Sequence, residues 1–548
     1  MSPPNASRTR ASRNCANCRA VKRRCDQQRP HCGQCLRTRE ACPGYRDDWD
    51  LVFRDQTGHT IKRASVNRKT TNSPKTHATR GQVEKTANHF LQSLASASSS
   101  RSSLHHPPPS KTLGPSLDDI GVNYFLYEFV TGGRAPSRGY LNYIPPCYSD
   151  DASRPTLYTS MAAVGLMGLS SSQQSLMPHA RTKYAQAIGL VNDALQCSVE
   201  SIKDSTLMSV ISLGVFEHVE NFESWVRHVH GAAALVVARG KGQFTTRTAL
   251  LMFNQVRADV TTACVQTVRP FPEELRVLQE EAARCDVDGL GLTSSACWQL
   301  GVLATRCATL FAGVAEQYQQ RKARAHAAVH TAGSSPGIES APWSRFLTEA
   351  IALQADFQAV LGRLSLEEPF HPTVLPASSL SGARAGRCDT YPSAWAIRLW
   401  NNARMVEIIV CEIACWLIDK VCACPSTTED LDLGNVDTNR LAIKRRALLG
   451  VMAARGDDIL ATVPQGLGLL PPSPAVPACT PDYSGGPSVS GGYMLTWTLY
   501  AVAKSPVVSQ QTRGWIIEQL EGISRSAGIA MALQLAREIP TGTVKIGA

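Results

Sequence analysis

Six cysteines near the N-terminus obey a repeat. Cys15-x2-Cys18-x6-Cys25 is followed by Cys32-x2-Cys35-x6-Cys42, and each member of the first triplet returns 17 residues later. A Cys-x2-Cys pair lets two thiolates bind one metal from a single tight turn, and the six-residue spacer allows a short helix before the third thiolate closes the site. A structural zinc takes four ligands in tetrahedral geometry. Two triplets supply six thiolates, fewer than two separate sites require, and two shared cysteines make up the difference. By the repeat, the shared pair holds equivalent positions, one in each triplet. A closed site of this kind is structural rather than catalytic. The segment is too short to build a hydrophobic core, so the metal supplies most of its folding energy.

Charge is distributed unevenly. Residues 1–80 carry 18 Lys/Arg against 6 Asp/Glu, whereas the rest of the chain carries 38 against 39. Nearly all of the net charge of +11 therefore sits beside the cysteines, as expected of a polyanion binder. No amphipathic helix or lipidation site accompanies it, which argues against a membrane surface. The opening MSPPNASRTRASRN lacks the apolar stretch of a signal peptide. The best candidate span, Val406 to Ala423, is interrupted by Glu407, Glu412, Asp419 and Lys420. The expectation is a soluble intracellular protein, in which 18 cysteines are not a disulfide framework.

The organisation expected is a disordered basic arm over 1–13, a cysteine domain over 14–46, a largely disordered linker over 47–116 and a helical region over 117–548. The linker ends in LASASSSRSSLHHPPPSK, a composition that cannot bury enough apolar surface to fold. Beyond it the apolar residues take helical spacing. Tyr184, Ile188, Val191, Leu195 and Val199 form one stripe. Trp225, Val229, Ala232 and Val236 form another, with a stop at Gly240. Leu300, Leu303, Cys307, Leu310 and Val314 form a third, and Ile516, Leu520 and Ile523 begin a fourth. Asp204 stands where an N-cap would, period-2 strands are scarce, and residues 463–493 read as a long Pro/Gly-rich loop.

The segment CANCRAVKRRCDQQRPHCGQCLRTREAC resembles the fungal-type binuclear zinc cluster family of transcription factors. All six cysteines, the basic spacer and Pro30 in the connecting loop agree with it. The resemblance implies two structural Zn2+ held by Cys15, Cys18, Cys25, Cys32, Cys35 and Cys42, with Cys15 and Cys32 as the bridges. It also implies that Lys22, four residues after the second cysteine, reads a CGG-type triplet, a lysine-to-guanine contact of known chemistry. The spacer Arg19 to Arg24 has four cations and no acid, while Leu36 to Ala41 has two cations and one acid, so the first is the better recognition helix, its N-terminal end offering N–H groups toward phosphate. Arg19, Arg23 and Arg24 are then phosphate contacts, and His31 is a surface or phosphate-facing residue rather than a ligand.

Three later segments, IGVNYFLYEFV, ARTKYAQAIGLVNDAL and DSTLMSVISLGVFEHVENFESWVRHVHGAAALVVARG, resemble the fungal-specific regulatory domain that accompanies such clusters. The fold class expected is thus a small zinc-stabilised binuclear cluster domain plus a large all-α regulatory domain, joined by a disordered basic linker. The function implied is a nuclear, sequence-specific regulator of RNA polymerase II genes, with double-stranded DNA as partner and a metabolic or secondary-metabolite gene set as target. Lys22 to Arg24, Lys62, Arg63, Arg68 and Lys69 suit nuclear import. The transcription machinery and a second copy are further partners the family implies. No sustained heptad follows the cluster, however; Val83, Ala87, Phe90 and Leu94 make only a short stripe.

The rival readings are a zinc module that binds protein instead of DNA, and an enzyme carrying an appended zinc module. Dinucleotide, P-loop, serine-hydrolase and zincin signatures are absent, so no feature supports catalysis. Cys411, Cys415, Cys422 and Cys424 read as buried free thiols, three of them on one helical face. His218, His228 and His230 read as core or helix-face histidines, and the acidic run 429–433 reads as a solvated loop, with an acidic-hydrophobic activation patch as the rival reading.

Overall fold

The computed structural model describes residues 14–26, 28, 31–40, 42, 115–130, 140–144, 155–285, 291–330, 343–374, 387–423, 438–469 and 488–539. The arm 1–13, Pro30, nearly all of the linker with its apolar stripe and basic residues 62–69, Cys424 and the acidic run 429–433 lie outside the described residues.

Two short helices, α1 (Ala16–Ala20) and α2 (Gly33–Arg37), belong to the cysteine segment. The remainder is mostly helical: α3 (Leu117–Glu128), α4 (Pro155–Ser170), α5 (Met177–Gln196), α6 (Asp204–Glu220), α7 (Phe222–Arg239), α8 (Arg247–Thr267), α9 (Glu273–Arg284), α10 (Ala296–His330), α11 (Trp343–Glu367), α12 (Ala394–Ala423), α13 (Thr438–Leu460), α14 (Val463–Gly466), α15 (Val489–Lys504), α16 (Gln510–Ala527) and α17 (Ala530–Glu538). The scarcity of strands has one exception among the described residues. β1 (His371–Val374) and β2 (Arg387–Thr390) pair antiparallel, with His371 opposite Thr390.

Local chemistry explains the ends of these helices. Ser116 and Asp119 form a reciprocal capping box at the start of α3, the Asp119 N–H donating to Ser116 Oγ at 3.1 Å. Asn221 accepts from the Ser224 N–H to start α7, and Gly240 at φ 69° ends it, as the stripe predicts. Trp225, Val229, Ala232 and Val236 are buried along that helix, as are Leu300, Leu303, Cys307, Leu310 and Val314 along α10.

Three expectations need correction. The stripe over α5 holds through Leu195, but the helix ends at Gln196 and Val199 lies beyond it, 59% exposed. Asp204 is the first residue of α6, not its cap; Lys203 precedes the helix without a side-chain cap bond. The Asp204 carboxylate instead pairs with Arg239 at the end of α7, where a cation also suits the helix C-terminus. The loop expected over 463–493 is helical at both ends, in α14 and α15. Gly491 is there for close packing rather than for a turn: a Cβ at that position would lie 1.7 Å from the Gly466 carbonyl oxygen.

One continuous apolar core runs from Val122 to Ile539. Within it α10 packs against α8, α11 and α12. Over Ala296–Arg324 this helix, rather than Val406 to Ala423, has the length and composition to cross a membrane, and 56% of its most apolar stretch is buried in the bundle. Glu128, at the end of α3, is 1% exposed and accepts from the Ser488 hydroxyl at 2.7 Å and the Ser490 N–H at 3.0 Å, tying the first helix of the region to the start of α15. His218 and His228 are buried, as expected, and the His218 Nε2 accepts from the Trp497 indole at 2.7 Å. Burial holds these imidazoles neutral, their pKa values falling to about 3 and about 4. Cys411 and Cys415 are buried thiols, as expected, but Cys422 near the end of α12 is exposed, which corrects the expectation that it too is buried.

Candidate metal centre

The 17-residue repeat of the sequence is a structural repeat. Helices α1 and α2 begin immediately after Cys15 and Cys32. In each, the N–H of the next cysteine turns back to the preceding sulfur: Cys18 N–H to Cys15 Sγ at 3.4 Å, Cys35 N–H to Cys32 Sγ at 3.3 Å. One N–H at the start of α1, that of Cys18, therefore addresses a sulfur. Each helix closes with a six-to-one turn, Arg23 N–H to Cys18 O at 2.9 Å and Glu40 N–H to Cys35 O at 3.0 Å. The residue inside each turn takes the left-handed conformation, Lys22 at φ 53° and Arg39 at φ 54°. The six-residue spacer is thus the end of a helix, a left-handed turn and an extended return, and Lys22, Arg23 and Arg24 lie beyond the helix rather than on it.

The sulfurs of Cys15, Cys18, Cys32 and Cys35 converge within 4.8 Å of one another, and all four residues are fully buried. Cys15 Sγ lies 3.6 Å from Cys32 Sγ and 3.7 Å from Cys35 Sγ, and Cys18 Sγ lies 3.8 Å from Cys32 Sγ. A disulfide would bring the atoms to about 2.0 Å. The edge of a regular tetrahedron of sulfurs around zinc, at Zn–S about 2.3 Å, is about 3.8 Å. The three separations therefore fit ligands of a shared metal centre. They also respect the repeat: the Cys18–Cys32 contact maps onto Cys35–Cys15, and the Cys15–Cys32 contact maps onto itself. Cys25 and Cys42 pack against the four, with Cys25 Sγ accepting from the Cys15 N–H at 3.5 Å.

Two residues missed in the sequence complete the centre. Asp26 lies near Cys25 and Cys32, and its carboxylate accepts from the Gly33 N–H at 3.0 Å at the start of α2. A Cβ on Gly33 would come within 2.5 Å of that carboxylate. Glu40, the one acid of the second spacer, pairs with Arg23. Arg23 also donates from Nε to Cys18 Sγ at 3.4 Å and from Nη2 to Cys35 Sγ at 3.5 Å, so one guanidinium touches both halves. It draws the Cys18 thiol down to about 7, toward the thiolate that binds metal. Burial works the other way on Cys32, pushing its thiol up to about 12, and raises Cys15 as well. A bound cation reverses that burial effect.

Lys22 and Arg24 are exposed, as is His31, which stands outside the sulfur group. Arg19 lies in α1. The structure thus places Arg23 on the sulfurs and leaves Lys22 and Arg24 facing outward.

Residues 13–49 match the family model of the fungal Zn(2)-Cys(6) binuclear cluster domain, a family of DNA-binding transcription regulators. The match covers all six cysteines and ends before the helical region. No curated protein and no solved structure matches the chain.

Proposed function

We propose that this chain is a nuclear, sequence-specific DNA-binding transcription regulator whose cluster holds two structural zinc ions. The observation that carries the reading is the sulfur arrangement, in which Cys15 and Cys32 lie 3.6 Å apart and each approaches the other half's second cysteine. Cys15, Cys18, Cys25 and Cys32 would hold one ion, and Cys15, Cys32, Cys35 and Cys42 the other. Bound zinc supplies folding free energy and a fixed scaffold; with every position filled by thiolate it offers no open site for catalysis.

The side chains around this scaffold do the recognition. Lys22, exposed at the left-handed turn after α1, addresses the base edges of a CGG-type triplet. Arg19 and Arg24 engage flanking phosphates and set the register. Arg23, committed to Glu40 and the two sulfurs, fixes the turn from which Lys22 projects.

Titration of the full chain with duplexes that carry or lack a CGG triplet, across a salt series, tests this. The expected result is preference for the triplet, affinity falling steeply with salt through counterion release, and loss of the preference in Lys22→Ala. Zinc binding with no DNA affinity would instead establish the cluster as a protein-binding module.

A further inference from the structure

Helices α8, α10, α11 and α12 line a cavity far along the chain from the cysteines. Leu300, Phe357, Leu399 and Val406 give it a largely apolar wall, the kind of lining that small-molecule sites have. Two arginines interrupt that wall. Arg257, on α8, is 1% exposed and lies over the Trp298 ring at 4.1 Å. Its hydrogen-bond partners are all neutral: Gln279 Oε1 at 3.1 Å, the Trp298 carbonyl at 3.1 Å and Asn254 Oδ1. Its Nε is buried without any partner. Among the described residues no carboxylate forms an ion pair with it. Arg398, on α12, donates to Gln255 Oε1 at 2.9 Å and stands 3.9 Å from Asp259. Of the two buried guanidiniums only Arg398 has an acid beside it among the described residues, and that acid is itself pushed up to about 6 by burial.

The fold makes room for this excess of positive charge. Gly301 of α10 lies against Arg257, where a Cβ would come within 2.0 Å of Nη2. A bare helix turn thus receives the guanidinium in the cavity wall. An uncompensated buried cation is unfavourable unless an anion meets it, and a core position for Arg257 would be better served by an apolar residue if only packing were at stake.

We propose that this cavity binds a small amphipathic organic carboxylate, its head held by Arg257 and Arg398 and its hydrocarbon body against Leu300, Phe357 and Val406. Guanidinium pairs with carboxylate through charge-assisted, bidentate hydrogen bonds. The apolar wall favours a carboxylate with a hydrocarbon body over an inorganic anion, which has no apolar surface to bury there.

The test is calorimetric titration of the full chain with butyrate, octanoate and phenylbutyrate, beside phenylbutanol, phenylbutylamine and inorganic phosphate. The expected result is saturable binding of the longer carboxylates, with the matched alcohol weaker by about tenfold or more, the worth of one charged hydrogen bond. Arg257→Gln should erase that preference. Ala304→Phe, which fills the cavity from α10 and leaves both arginines in place, should abolish binding, and it decides the matter if Arg257→Gln fails to fold. Equal binding of alcohol or amine, binding of phosphate as tight as phenylbutyrate, persistence of binding in Ala304→Phe, or no binding by any carboxylate overturns the proposal.

Discussion

Arg23 and Glu40 stand 17 residues apart, the interval that relates the two cysteine triplets, and their side chains pair across the junction of the two halves. An ion pair between repeat-equivalent positions joins the halves by charge. Both groups are partly solvated, so the pair alone is worth little. Its effect comes through the Arg23 contacts to Cys18 and Cys35, which make the guanidinium an outer-shell partner of the ligands. Removal of such a partner typically weakens metal binding about 10–100-fold. Arg23→Met should therefore release zinc to a competing chelator at lower chelator concentration, and Glu40→Gln should do so by a smaller factor. Unchanged release in Arg23→Met would mean that the guanidinium is a bystander.

The cysteines should not be equivalent in metal loss. Cys15 and Cys32 contact both halves, whereas Cys25 and Cys42 sit at the margins. Cys15→Ser or Cys32→Ser should cost both metals, and Cys25→Ser or Cys42→Ser should leave one in place. Native mass spectrometry of the zinc-loaded chain reads the difference directly. Equal loss across all four variants would refute the shared-ligand arrangement.

Lys22 and Arg39 hold the same left-handed backbone at φ 53° and 54°, a conformation that costs a residue with a Cβ about 1 kcal/mol and glycine almost nothing. Arg39→Gly should thus stabilise the folded module by up to about 1 kcal/mol with DNA affinity little changed. Lys22→Gly should relax the backbone in the same way and yet lose triplet preference. Chelator-driven unfolding and DNA titration, run on both variants, separate backbone from side chain. Destabilisation by Arg39→Gly would show that the arginine's own contacts outweigh the strain.

Glu412, on α12, has a buried Oε1 with no hydrogen-bond partner, and burial pushes its carboxyl up to about 8 against the pull of Lys504. A raised folded-state pKa gives stability that is full below the ordinary value of 4.5 and is lost as pH rises toward about 8. Glu412→Gln stays neutral throughout. The variant should melt with the wild type at acid pH and increasingly above it between pH about 5 and about 8. Circular dichroism of the helical signal follows this, and a gap that does not widen with pH would rule out a neutral Glu412.

What the sequence disclosed, and what it withheld, follows from the reach of each interaction. The cysteine centre was legible because metal geometry is written in short spacings such as Cys15-x2-Cys18. The stripes of α7 and α10 were legible because each helix buries one face at a fixed period. The end of α5 before Val199 was missed because periodicity does not mark where packing stops. Arg23 turned inward because its acid partner lies a whole repeat away, and a run of four cations reads the same whether it faces DNA or sulfur. Gly491 looked like a loop residue, yet its role is set by Gly466, a neighbour in space. Arg257 and Gly301 belong to different helices, so nothing local announced the cavity between them.

The bond from Glu128 to Ser488 and Ser490 spans 360 residues and more. Loop closure over such a distance comes late in folding, and during synthesis it waits until the ribosome has passed residue 490. All six cysteines of the module lie within residues 15–42. The nascent chain therefore carries a complete metal-binding head well before the helical region has both ends with which to close.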